Sequence, residues 1–216
     1  MDPRGLSIRT MDKTHLILIA TGLTGWLFLI APAQSTYAFD LKDVASIGAA
    51  YMTHLSLHEL GHQAVAKEVG ADSSNMYLFV RKDGKFYPGL STYKDIPEES
   101  KLPYAVGGER MAGCTFEYAL QSYHRKPTTY NKALIFFSCA DFVVYTLIAN
   151  YANPSDGMYD PNIIRAETGC SKEVLLSLVM AKSLLNTYRV TNQDAKFVPM
   201  IWLDEKSAAL LLRIPF

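Results

Sequence analysis

LKDVASIGAAYMTHLSLHELGHQAVAKEVG, residues 41–70, decides how the rest of the chain is read. It carries a helical pattern from Leu41 to Val69 and closes on Gly70, the residue type that most readily adopts the left-handed turn after a helix. Inside it lies His58-Glu59-Leu60-Gly61-His62, an H-E-x-x-H motif. Residues four apart on a helix stand one turn above each other on the same face. His58 and His62 can therefore aim their imidazoles at a single cation. Neutral imidazole is a good zinc ligand, and two His plus one carboxylate is a familiar open catalytic set. Glu59 lies about 100° round from His58. Its carboxylate falls beside the metal rather than on it, where it can take a proton from water. His54 extends the series by another turn. One ion cannot take all three rings, since His54 and His62 would be about 12 Å apart along the axis. His54 is therefore expected to line the pocket or support a ligand.

Working outward, the N-terminus reads as an export signal. Arg4, Arg9 and Lys13 precede an apolar run from Leu16 to Ala31, Pro32 breaks it, and small-residue patterns follow at Ala31-Pro32-Ala33 and Thr36-Tyr37-Ala38. That order describes a secretory signal peptide. An uncleaved anchor is the alternative. Residues 1–38 are thus assigned to a signal or anchor, and 39–216 to a metallopeptidase-like domain.

Downstream of the motif helix, Asn75 to Tyr93 looks like a β-hairpin turning at Lys82-Asp83-Gly84. A polar loop at 95–100 leads to a helix over Tyr104–Tyr123, with small residues near its start: Gly107, Gly108, Ala112 and Gly113. A strongly apolar helix follows from about Tyr130 to Tyr151, then the breaker cluster Asn153-Pro154-Ser155-Asp156-Gly157. A short helix starts near Pro161 with Asp160 as its cap. A further helix covers Glu173–Val190, and Phe197–Leu203 with Ala208–Ile214 read as a second hairpin. The expected fold is α+β and mostly helical: the H-E-x-x-H helix, a β-hairpin, apolar core or membrane helices, and a C-terminal hairpin.

Composition narrows the function. The chain has 216 residues, of which 49% are apolar and 19% charged, so global disorder is excluded. Lys plus Arg is 21 and Asp plus Glu is 21, a zero balance that offers nothing to a nucleic-acid backbone. Three cysteines, Cys114, Cys139 and Cys170, are too few and too scattered for a disulfide scaffold or a Cys-based zinc site.

His58-Glu59-Leu60-Gly61-His62, with Ala66 and Gly70, matches HELGHxxxAxxxG and resembles the membrane-embedded site-2-protease family of zinc metallopeptidases. The resemblance covers about residues 45–160. It implies a motif helix in or at a membrane, a β element and a Gly-containing helix after it, and a later Asn/Pro/Asp-Gly segment supplying the third zinc ligand. Asn150, Asn153, Pro154, Asp156 and Gly157 look like a compressed form of that segment, so by resemblance Asp156 is the third ligand. From the residues alone the choice stays open. Asp160 and Asp141 are further candidates, Asp141 because it is a lone carboxylate deep in an apolar run. Glu109 and Glu117 would serve if the chain were a soluble, secreted zincin. Asn150 or Asn153 is placed to donate to the scissile carbonyl oxygen.

The expectation is an exported, membrane-associated zinc peptidase acting on a peptide or protein substrate, with zinc on His58, His62 and Asp156 and Glu59 as general base. The hairpin edge is expected to accept an extended peptide as an added strand. The alternative from another class is a non-catalytic zinc-binding envelope protein.

Overall fold

The structure is a computed structural model that describes residues 40–204 and 206–214. The export-signal reading of 1–38 lies outside the described residues. Among the described residues, five α-helices and two antiparallel hairpins follow one another: α1 (Leu41–Glu68), β1 (Ser73–Lys82), β2 (Lys85–Lys94), α2 (Lys101–Arg125), α3 (Thr129–Leu147), α4 (Asp160–Thr168), α5 (Lys172–Thr191), β3 (Val198–Asp204) and β4 (Ser207–Arg213). The mostly helical α+β expectation holds.

Helix α1 begins where the Asp40 carboxylate accepts the Asp43 N–H at 2.8 Å, and ends before Gly70, whose φ is +78°. A side-chain oxygen here satisfies one of the first-turn N–H groups that have no partner within the helix. The buried residues of α1 include Ala50, His54, His58, His62 and Ala66, one every four residues. A single stripe thus points inward, and its middle is imidazole rather than hydrocarbon.

Glycines let α2 come close to that stripe. A Cβ on Gly61 would lie 2.3 Å from the Gly107 carbonyl oxygen, and a Cβ on Gly107 would lie 2.7 Å from that of Gly61. Neither backbone could approach the other if these positions carried side chains. Further along the same pair of helices, Ala50 joins Phe116, Ala119 and Leu120 of α2 and Leu134 and Ile135 of α3 in the apolar core. Fully burying a Phe or Leu side chain contributes roughly 1.5–3 kcal/mol, so this cluster fixes α1, α2 and α3 together.

Helix α3 is capped by Thr128, whose hydroxyl accepts the Asn131 N–H at 3.1 Å. It packs against α1, α2 and α5. Its apolar run continues through a π-helical turn at Ile148–Ala152. Among the described residues, Thr129–Ala152 is the one helical segment long and apolar enough to cross a membrane, and 56% of its most apolar 18-residue window is buried inside the protein. A core helix satisfies the same test.

The chain then turns through 153–159. The Asn162 side chain holds this turn by donating to the Asn153 and Asp156 carbonyls at 2.8 and 2.9 Å. Helix α4 starts immediately after. Tyr159 occupies the cap position without a side-chain bond, and Asp160 is the first helical residue. Asp160 therefore does not cap the helix as expected, and its carboxylate is free for another role.

In the first hairpin, Tyr77 faces Leu90 and Val80 faces Tyr87. Asp83 and Gly84 both have positive φ, 51° and 77°, as the tight two-residue turn requires. Strand β2 runs to Lys94, one residue past the expected end of the hairpin at Tyr93. The C-terminal hairpin, β3 with β4, packs on α5, away from the histidine stripe. Cys114, Cys139 and Cys170 are all free.

Candidate metal centre and catalytic site

His58, Glu59 and His62 are all buried on α1. Asp160 arrives from the start of α4 and is buried as well. Its Oδ2 is 3.2 Å from His62 Nε2 and 3.7 Å from His58 Nε2. Zinc–ligand bonds near 2.1 Å in a tetrahedron put neighbouring ligand atoms about 3.4 Å apart. The observed separations bracket that value, so the donor set fits a small divalent ion. The helix N-terminus also favours an anionic side chain at Asp160.

Gly108 on α2 supplies the space. A Cβ there would lie 2.4 Å from His58 Nε2 and 2.5 Å from His62 Nε2. The volume in front of both nitrogens exists only because residue 108 has no side chain.

Of the two imidazoles, His62 is held from behind by a hydrogen bond, whereas His58 Nδ1 has no hydrogen-bond partner among the described residues and only faces a carboxylate. His62 Nδ1 lies 2.8 Å from the Tyr104 carbonyl oxygen, so Nδ1 carries the proton and donates it, leaving Nε2 as the free ligand atom. His58 Nδ1 faces Asp141 Oδ2 at 3.8 Å. The same Asp141 oxygen is 3.2 Å from His54 Nε2. Among the described residues, two His/Asp groups offer three ligand atoms within 4.8 Å of one another: His58 with His62 and Asp160, and His54 with His58 and Asp141. The first is buried throughout. In the second Asp141 is half-buried and backs His58 and His54.

Electrostatics follow from this packing. Burial alone would lower the His58 pKa, but the Asp160 and Asp141 carboxylates outweigh it and raise it to about 9. Burial would raise the Asp160 pKa, but His62 and His58 overcome it and hold Asp160 down at about 2. Burial pushes Glu59 up, against the pull of the histidines. The two histidines and Asp160 thus carry one another's charge.

Glu59 opens onto a cleft of about 330 Å³ whose walls include His62, Tyr104, Tyr145, Asp160 and the β2 segment from Gly89 to Tyr93. A Cβ on Gly89 would lie 2.3 Å from Glu59 Oε1, so this glycine gives the carboxylate its room. The Ser91 hydroxyl donates to the Glu59 carbonyl at 3.1 Å and pins β2 to the motif.

Several expected residues lie elsewhere. Asp156 is not the carboxylate brought to the imidazoles. It accepts a 2.6 Å bond from Lys85 and a 3.4 Å bond from the Tyr87 hydroxyl, and its other oxygen accepts the Met158 N–H. These ties to the hairpin and its own turn turn it away from the pair, and Asp160 takes the place expected for it. Glu109 pairs with Lys182 and Glu117 with Arg189 on the α2–α5 side, so neither serves as a zincin-type third ligand. Asn150 bonds Lys172 and Arg165, the Asn153 carbonyl accepts from Asn162, and neither asparagine lines the cleft. Gly108 stands out in sequence as a small residue in a helix, but its place before the two nitrogens has no local signal. Tyr104 and Tyr145 have none either.

Comparison of the chain with protein-family models, curated proteins and solved structures finds no match. The likeness to site-2 proteases rests on the motif residues.

Proposed function

We propose that the chain is a zinc-dependent metallopeptidase in which His58, His62 and Asp160 hold the metal and Glu59 is the general base. The observation that carries the reading is the arrival of a buried carboxylate, from about a hundred residues downstream in sequence, at ligand distance from both imidazoles of an H-E-x-x-H helix. Two imidazoles and a carboxylate suit zinc, and leave a coordination position for chemistry. A bound zinc ion would polarise the attacking water and the scissile carbonyl.

The remaining steps belong to the chain. Glu59 takes the proton from the attacking water and delivers it to the leaving amine as the C–N bond breaks. Burial, by raising its pKa towards neutrality, makes it better suited to both transfers. Strand β2 pairs with β1 on one side, and its Gly89–Tyr93 stretch lines the cleft. An extended substrate pairing with that edge would pass its scissile bond beside Glu59.

We further place the enzyme outside the cytoplasm, at a membrane surface, on the strength of the basic–apolar N-terminal pattern. Cell fractionation checks this, and recovery of the protein with the cytosol contradicts it.

The test of the function is Glu59→Gln. Zinc content should stay near that of the wild type, while peptide cleavage falls by about 10²–10⁴-fold, the usual worth of a general base. Wild-type protein that binds zinc and cleaves no member of a peptide library would instead support a non-catalytic zinc-binding protein.

A further inference from the structure

Asp156 stands in the Asn153–Gly157 cluster that the sequence singles out, yet it is not the carboxylate at the imidazoles. It joins two walls of the cleft instead. Tyr87 and the Gly89–Tyr93 stretch of β2 lie in one wall, and Gly157 and Met158 of the turn lie in the other. One Asp156 oxygen accepts from the Lys85 ammonium at 2.6 Å and from the Tyr87 hydroxyl at 3.4 Å, both on the hairpin. The other accepts the Met158 N–H at 3.0 Å, within the turn. The Asp156 side chain is 10% exposed, against 50% for Lys85. The anion is thus fixed in its own turn, and the cation reaches it from the hairpin tip. Burial would raise the Asp156 pKa, but Lys85 and the Met158 N–H hold it below its usual value, so the carboxylate keeps its charge.

Among the described residues, the side-chain hydrogen bonds that hold the hairpin to α1 fall nearer its base. Gln63 donates to the Asn75 carbonyl and Ser91 to the Glu59 carbonyl. Gly89 passes against the Glu59 carboxylate. At about 3.4 Å per residue, Tyr87 lies roughly 7 Å and Lys85 roughly 14 Å further along the strand. We infer that Asp156 and Lys85 form a clasp that holds the hairpin tip against the 156–158 turn, and so builds the subsites for substrate residues two to four places from the scissile bond. Both are positioning residues, since neither reaches the reacting atoms. This rests on the peptidase reading and deepens it: the substrate is an extended polypeptide segment that runs past Glu59 towards the hairpin tip, rather than a dipeptide. A wall ordered before binding spares the complex the cost of ordering it.

The test is Lys85→Met in the full chain, loaded with zinc and compared with wild type, Lys85→Arg and Asp156→Asn. Two peptides cleaved by the wild type at the same bond serve as probes. One runs at least about four residues beyond that bond on both sides, the reach of the clasp along a strand, and the other is trimmed close to it. For the long peptide KM should rise about 3–10-fold in Lys85→Met with kcat within about twofold, the scale of ordering a loop on binding. For the trimmed peptide neither constant should move by more than about twofold on that scale. Lys85→Arg should restore the wild-type KM. Asp156→Asn should reproduce Lys85→Met, and the double variant should be no worse than either, because each removes the same contact. Hydrogen exchange at the hairpin tip should be faster in Lys85→Met, with or without substrate, and zinc content should not change. Unchanged exchange overturns the clasp. So does an equal rise in KM for both peptides, or a loss that follows Tm or zinc, each of which marks a general structural role. If the wild type cleaves no peptide, the peptidase reading fails and takes the subsites with it. Cleavage by wild type with the long-peptide KM of Lys85→Met unchanged removes this assignment alone.

Discussion

The histidine stripe of α1 makes two clusters that differ in what surrounds them. At one end His58 and His62 meet Asp160, and all three are buried. At the other end His54 and His58 meet Asp141, which is half-buried and belongs to a core helix. Residue types and spacing are nearly the same. The difference lies in the third element: α4 begins at Asp160 and faces the Gly108 gap, whereas Asp141 meets the back of the His58 ring. One cluster has room for an ion in front of two Nε2 atoms. The other places a carboxylate 3.8 Å behind one of those rings. At His58 the two carboxylates are told apart by the nitrogen each faces: Nε2 for Asp160 and Nδ1 for Asp141.

The sharpest way to break this distinction is Gly108→Ala. The added methyl would fall within 2.5 Å of both Nε2 atoms, so metal binding should be lost while the helices stay folded. Metal analysis with circular dichroism checks this, and full metal content in the variant would contradict the placement of the ion. A smaller effect is expected at the supporting end. Asp141→Asn should weaken metal affinity by about 10–100-fold, as loss of an outer partner of a ligating His does, without abolishing binding. Competition with a chelating dye measures it. Complete loss of metal would make Asp141 a ligand rather than a support.

The smallest effect is on stability and tests the charge coupling through His58. In the metal-free protein His58 is raised from 6.5 to about 9, so its contribution is fully present below pH 6.5 and is lost as pH rises to about 9. Glu59 is also raised, by burial, and its contribution is likewise lost as pH rises through its folded pKa. Asp160 is depressed from 3.8 to about 2, so its contribution is present above pH 3.8 and is lost as pH falls to about 2. Urea unfolding of metal-free protein should therefore show stability rising from about pH 2 to 4 and falling between about pH 6.5 and 9. A flat profile from pH 6.5 to 9 would show that His58 is not held by the two aspartates.

Much of the fold was legible because its signals are local. Gly70 marks a helix end and Asp83-Gly84 marks the hairpin turn. The histidine stripe was legible for the same reason, since four-residue spacing is a property of the helix itself. The carboxylate that meets the two imidazoles was not. Asp156 and Asp160 are four residues apart in one turn-rich segment, and either could meet the imidazoles on spacing alone. The choice is made by contacts remote in sequence: Lys85 and Tyr87 draw Asp156 to the hairpin, and the helix beginning at Asp160 carries that carboxylate inward. Gly108 and Tyr104 were hidden for a related reason. Their roles depend on the crossing of α1 and α2 at Gly61 and Gly107, which no single stretch encodes.

Zinc content of purified Asp160→Ala, set beside Asp156→Ala and wild type, tests the centre most directly. Asp160→Ala should emerge from dialysis with little or no zinc, and Asp156→Ala should match the wild type. Zinc retained in full by Asp160→Ala and lost from Asp156→Ala would contradict the account.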